Sequence, residues 1–129
     1  MSKLCRDCYV LLTDENWKKC LVKKKDYICK SCCNKRQSAN EANFKHHIFG
    51  VYGGKCVCCS ESNVIFLTID HIDGQGARHR RSLGSGASGK DFYRWLKKQG
   101  YPKDNYQVLC FNCNFAKHVL GSCPHQPPA

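Results

Sequence analysis

A chain of 129 residues with 12 cysteines is long enough for one or two small domains but too short for generous apolar cores, so metal staples are expected. The formal charge is +11, from 21 Lys and Arg against 10 Asp and Glu; with eight thiolates holding two Zn²⁺ it falls to roughly +7, which still favours a polyanionic partner. No apolar run approaches membrane-spanning length, and Met1-Ser2-Lys3-Leu4 leads straight into a cysteine pair with no signal-peptide core. The expectation is a cytoplasmic protein without a membrane partner, whose cysteines bind metal rather than form disulfides.

Residues 1–36 carry Cys5-x-x-Cys8 and Cys29-x-x-Cys32, at the edge of the spacing of a four-cysteine zinc ribbon or knuckle. Cys33 competes with Cys32 as a ligand, but Cys32 keeps the two-residue spacing. Cys20 has no close partner and reads as a small buried residue. Lys18, Lys19, Lys23, Lys24 and Lys25 crowd the loop between the pairs, with Trp17 and Tyr27 alongside. That mixture suits phosphates and stacked bases, or else it is a solvated face that keeps a tiny zinc module soluble.

Residues 37–50 form a connecting segment, and helical spacing of Ala39, Ala42, His46 and Phe49 predicts a helix over 37–49. His46 and His47 could replace a thiolate, but four C-x-x-C pairs already supply eight ligands. Gly50, Gly53 and Gly54 are expected to break the helix and open a second domain over residues 51–121.

That domain begins with Cys56-x-x-Cys59, leaving Cys58 as a spare. The run Val64–Ile69 predicts a short strand buried on both faces and closed by Asp70-His71. A turn at Asp73–Gly76, the dense basic cluster Arg78-His79-Arg80-Arg81 and a flexible loop over residues 82–89 follow. Ser88 and Asp91 predict a capping box for a helix carrying Phe92, Trp95 and Leu96, with Trp95 in the core. Tyr106–Leu109 reads as a second strand feeding Cys110-x-x-Cys113. A final helix ends at Gly121, with Phe111, Phe115 and Val119 on its packed side and Asn114, Lys117 and His118 on its chemical side. Residues 122–129 read as a disordered or loosely docked tail.

Three segments, Gly54-Lys55-Cys56-x-x-Cys59, Ile69-Asp70-His71-Ile72-Asp73 and Asp104–Cys110-x-x-Cys113-Asn114-x-x-Lys117, occur in that order. Together they resemble the HNH, or ββα-metal, endonucleases, and most nearly the phage-type recombination endonuclease VII group, whose last motif residue is Asn. The resemblance spans about residues 51–121. It implies a ββα-metal nuclease fold there; with the N-terminal four-cysteine zinc module that spacing alone suggests for residues 1–36, the expectation is a small α+β zinc-stapled protein. Residue by residue, His71 resembles the general base, Asp70 and Asn114 the ligands of a catalytic Mg²⁺ or Mn²⁺, and Asn105 the residue that props the histidine loop. His118 is displaced from the family position and either binds phosphate or lies idle on the surface. The resemblance also implies structural zinc at Cys56/Cys59/Cys110/Cys113, as the spacing does; at Cys5/Cys8/Cys29/Cys32 structural zinc is expected from the spacing alone.

The activity so implied is DNA phosphodiester hydrolysis to 5′-phosphate and 3′-hydroxyl ends, in the host cytoplasm if the protein is phage-encoded. DNA is the expected partner, touched by the lysine loop, Arg78, His79, Arg80, Arg81, Lys117 and His118. A second copy of the chain is needed if both strands are cut together. Two other classes stay open: a zinc protein that binds nucleic acid without cutting it, which would not need Asp70, His71 and Asn114 together, and a zinc adaptor for protein partners, which would not need the arginine cluster either.

Overall fold

The computed structural model describes residues 1–84 and 89–126. The protein is a small α+β molecule whose described strands form one two-stranded sheet, and its chain divides into two compact units, Met1–Phe44 and Lys45–Ala129. No described helix is long and apolar enough to cross a membrane.

In the first unit, Cys5, Ile28 and Cys29 form a small buried centre, with Leu12, Leu21, Cys32 and Cys33 packed around it. Three of those seven are ligand candidates, so the apolar core and the candidate metal site coincide. Trp17 is buried and donates its indole N–H to the Asp26 carbonyl at 2.8 Å. The expected stacking residue is therefore a packing residue, although Tyr27 beside it is exposed. Cys20, expected to be buried, is exposed on the short helix α1 (Lys19–Lys23).

The connecting helix is longer than expected. Helix α2 spans Lys30–Val51, starting inside the Cys29-x-x-Cys32 pair and running through Gly50, and the division between units falls within it. A lone glycine costs a helix about 1 kcal/mol, which burial of Ile48 and Phe49, two and one residues earlier, outweighs. The glycines at 53 and 54, both at positive φ, take the chain out of the helix.

The second unit is built on strands β1 (Leu67–His71) and β2 (Tyr106–Cys110), antiparallel with Leu67 opposite Cys110, Asp70 opposite Gln107 and His71 opposite Tyr106. Residues 64–66 are a 3₁₀ turn rather than strand, with Ile65 and Phe66 exposed. The Asn63 side chain accepts from the Ile65 N–H at 3.2 Å, and the local bond wins over sheet pairing. β1 is thus not apolar on both faces: Leu67, Ile69 and His71 are buried, while Thr68 and Asp70 on the other face are half-buried.

Between the strands lie α3 (Gly76–Ser82), unforeseen from the sequence, and α4 (Gly89–Lys98), whose Phe92 and Leu96 reach the core. Ser88, the expected cap of α4, lies outside the described residues, as do residues 85–87 of the expected 82–89 loop. Helix α5 (Phe111–Leu120) follows β2 without a loop, packs on both strands, and ends at Gly121 in the left-handed conformation. Its expected packed side is exposed: Phe111, Phe115 and Val119 are 56%, 69% and 57% accessible. The buried side carries Cys113, because the cysteine group and β1 hold that face inward.

Candidate metal centres and candidate active site

The same local design is used twice. In each unit a C-x-x-C knuckle is closed by two backbone bonds: Cys5 N–H to the Val10 carbonyl at 2.8 Å with Tyr9 N–H to the Cys5 carbonyl at 2.9 Å, and Cys56 N–H to Glu61 at 2.8 Å with Ser60 N–H to Cys56 at 2.9 Å. Tyr9 and Ser60, each directly after its second cysteine, sit at φ of 59° and 66°. The second pair of each set opens a helix. Cys32 N–H donates to Cys29 Sγ and Cys113 N–H to Cys110 Sγ, both at 3.4 Å.

The eight expected thiols accordingly converge in two groups, Cys5/Cys8/Cys29/Cys32 and Cys56/Cys59/Cys110/Cys113, with the sulfurs of each group within 4.8 Å of one another. Cys8 and Cys29 are 3.7 Å apart, and so are Cys59 and Cys110. Sulfurs about 2.3 Å from a shared tetrahedral zinc lie about 3.8 Å apart, so both groups fit that ion and could hold it.

The electrostatics agree. Burial would raise the Cys5 and Cys56 thiols, but backbone N–H groups outweigh it and hold them down to about 6 and about 7. Cys32 is pushed up to about 12, chiefly by hydrogen bonding to Cys8 and Cys29, and Cys113 is driven up first by burial and then by neighbouring thiols. Sulfurs in each group therefore compete for negative charge, a conflict that a dication removes. Cys33 packs against the first core outside the ligand group, and His46 and His47 belong to no cluster among the described residues.

Asp70 and His71, adjacent in sequence, are separated by the pleat of β1. His71 shares the core face with Leu67 and Ile69 and is 7% exposed. Phe92 stacks on its ring at 4.9 Å, and Tyr106 meets it edge-on at 5.0 Å from the cross-strand position. Its Nε2 is 2.8 Å from His79 Nδ1, and His79 in turn rests on Trp95 at 4.2 Å. Burial, then the neighbouring His79, lowers the His71 pKa below its ordinary value, so the neutral ring, the form able to take a proton, is favoured. Gly76 closes the remaining side, where an added Cβ would stand 3.1 Å from Nδ1.

Asp70 is on the other face. Its Oδ2 accepts from Lys117 Nζ at 2.5 Å and from Gln107 Nε2, its cross-strand partner, at 2.9 Å. Lys117 also donates to the His71 and Ile72 carbonyls, at 3.0 and 3.3 Å, which pins α5 to the end of β1. Asn114 is half-buried one turn before Lys117 and shares its helix face. Both bonds to Asp70 end on Oδ2. The Asn105 carbonyl accepts from Ile72 N–H at 2.9 Å, bracing the turn after His71 through its backbone.

Of the residues expected to meet nucleic acid, Arg78, Arg80 and Arg81 are exposed on α3, Lys19, Lys23, Lys24 and Lys25 are exposed in the first unit, and His118 is exposed on α5. Lys18 is half-buried and bonded to Asn34 at 2.9 Å, and Lys117 and His79 are engaged with Asp70 and His71. From the sequence, Gln107, Phe92, Tyr106 and Gly76 read only as strand, helix and turn residues, not as part of the site. The β1–β2 register could have found Gln107 and Tyr106, which stand opposite Asp70 and His71, whereas Phe92 reaches the site from α4. No protein-family model, curated protein or solved structure matches the chain.

Proposed function

We propose that the protein is a divalent-metal-dependent DNA endonuclease of the HNH type, with His71 as general base and Asp70 and Asn114 as metal ligands. The observation that carries this reading is the split at the end of β1: a carboxylate facing α5 and a neutral, caged imidazole on the opposite face, one residue apart. In-line attack on a phosphodiester needs base and cation on different sides of phosphorus, and neighbouring strand residues supply that separation. His71 would accept the proton of the attacking water at Nε2, the atom now bonded to His79, so the water replaces His79 there. Asp70 and Asn114 would hold a Mg²⁺ or Mn²⁺ whose charge stabilises the phosphorane and the departing 3′ oxygen. The exposed arginines of α3 begin five residues beyond Asp73 and supply phosphate contacts near the site.

A second reading is favoured by one specific feature. Lys117 already neutralises Asp70, and His71 is nearly inaccessible, as expected of a zinc protein that binds nucleic acid without cutting it. Incubation with supercoiled plasmid and Mg²⁺, followed by cleavage and by gel shift, distinguishes the two. His71→Ala should slow cleavage by about 10²- to 10⁴-fold while leaving the shift nearly intact. Asp70→Ala should do likewise, with partial rescue by high Mn²⁺. A gel shift with no cleavage by the wild type would replace the nuclease reading with the second one.

A further inference from the structure

A third group of ligand atoms was not anticipated by spacing: Cys58, Cys113, Cys123 and His125 lie within 4.8 Å of one another, and Cys113 also belongs to the Cys56/Cys59/Cys110 group. The tail that composition marked as loose is held down. Cys123 is 6% exposed, and Gln126 N–H donates to its carbonyl at 2.9 Å. Gly121, at φ 79°, ends α5 and starts the reversal that returns the tail to the metal cluster. His125 Nδ1 is 3.3 Å from Cys113 Sγ and 3.5 Å from Cys123 Sγ. Nitrogen and sulfur on one tetrahedral zinc, about 2.0 and 2.3 Å from it, are separated by about 3.5 Å, so these are the edges of a ligand tetrahedron.

We propose that the second unit holds two zinc ions, the second bound by Cys58, Cys123 and His125 and joined to the first through the shared thiolate of Cys113. Cys58 and Cys123 each release a proton on binding and His125 binds as the neutral ring, so adding one Zn²⁺ and two thiolates leaves the formal charge of the cluster unchanged. A lone four-thiolate site would leave Cys123 and Cys58 packed against a fully ligated Cys113 with no role for His125. Sharing Cys113 gives all seven side chains a ligand's place, and it fixes the C-terminal segment to the knuckle that precedes β1.

The test uses the full chain. After reconstitution with ¹¹³Cd²⁺, a shared thiolate gives two cadmium resonances with mutual scalar coupling, which separate sites cannot show. Elemental analysis of the zinc protein should find one ion fewer per chain in Cys58→Ser and in His125→Ala than in the wild type. His125→Ala leaves all eight thiolates of the two four-cysteine sites in place, so its loss of metal does not depend on unfolding. Absence of cadmium coupling, or an unchanged metal count in both variants, would overturn the proposal.

Discussion

At His71 the surroundings matter as much as the ring. Phe92, Tyr106, His79 and Gly76 leave the imidazole one orientation, and burial keeps it neutral. Gly76 is the most sensitive point of this cage, because a methyl group there would sit 3.1 Å from Nδ1 and the ring would have to give by a few tenths of an ångström. Gly76→Ala should therefore cut cleavage by about tenfold while the melting temperature stays level or rises, since alanine is the better helix former. Gly74 provides the contrast. An added Cβ meets nothing there, but φ is +74°, so Gly74→Ala should lower the melting temperature through backbone strain. Thermal melts alongside plasmid cleavage read both effects; a Gly76→Ala protein of full activity would show that the ring has slack.

Among elements, those fixed by covalent spacing or by punctuation were legible. The four C-x-x-C pairs, β2 and the stop of α5 at Gly121 follow from the sequence, and the thiol groups assemble as the spacing implies. What escaped was decided by tertiary partners. Helix α3 has no apolar stripe to announce it, only Gly76 seated beside His71 and three exposed arginines. The orientation of α5 is set by Cys113 and by the Lys117–Asp70 pair, so its most apolar residues face outward against the usual pattern. The Asp70–Lys117 contact joins residues 47 apart in sequence, which no local period can reveal. The arginines of α3 and the lysines of the α1 region also make distinct forecasts. Neutralising Arg78, Arg80 and Arg81 should reduce the slope of log affinity against log salt on duplex DNA by up to about 0.9 per lost phosphate contact. The same change at Lys19, Lys23, Lys24 and Lys25 should do so only if the first unit grips DNA; an unchanged slope would make that surface a solubilising face.

For the whole molecule, the proposed nuclease reading gives each chain one Asp70/His71/Asn114 set, which would handle one phosphodiester at a time. A monomeric nuclease should therefore accumulate open-circle plasmid well before linear product. Linear DNA formed directly from supercoiled DNA would require a two-fold dimer with its sites on opposite strands.

The bracket of cysteines around the hairpin also bears on how the chain reaches its native state. Strands β1 and β2 are separated by residues 72–105, so their pairing is a long-range event whose entropic cost falls due before any reward. Cys59 and Cys110, 51 positions apart yet with sulfurs 3.7 Å apart, flank the strands, so an ion captured early would bring both ends together ahead of the ladder. Zinc would then act as a nucleating centre, and the order of addition becomes a kinetic variable. Diluting denatured, reduced protein into buffer that already contains Zn²⁺ should give a fast rise in native Trp95 fluorescence, read in a Trp17→Phe background. Adding the ion later should give a lag that tracks the time of addition, and a chelator should erase the signal. Equal rates in both orders would mean that the hairpin forms first and the metal only locks it.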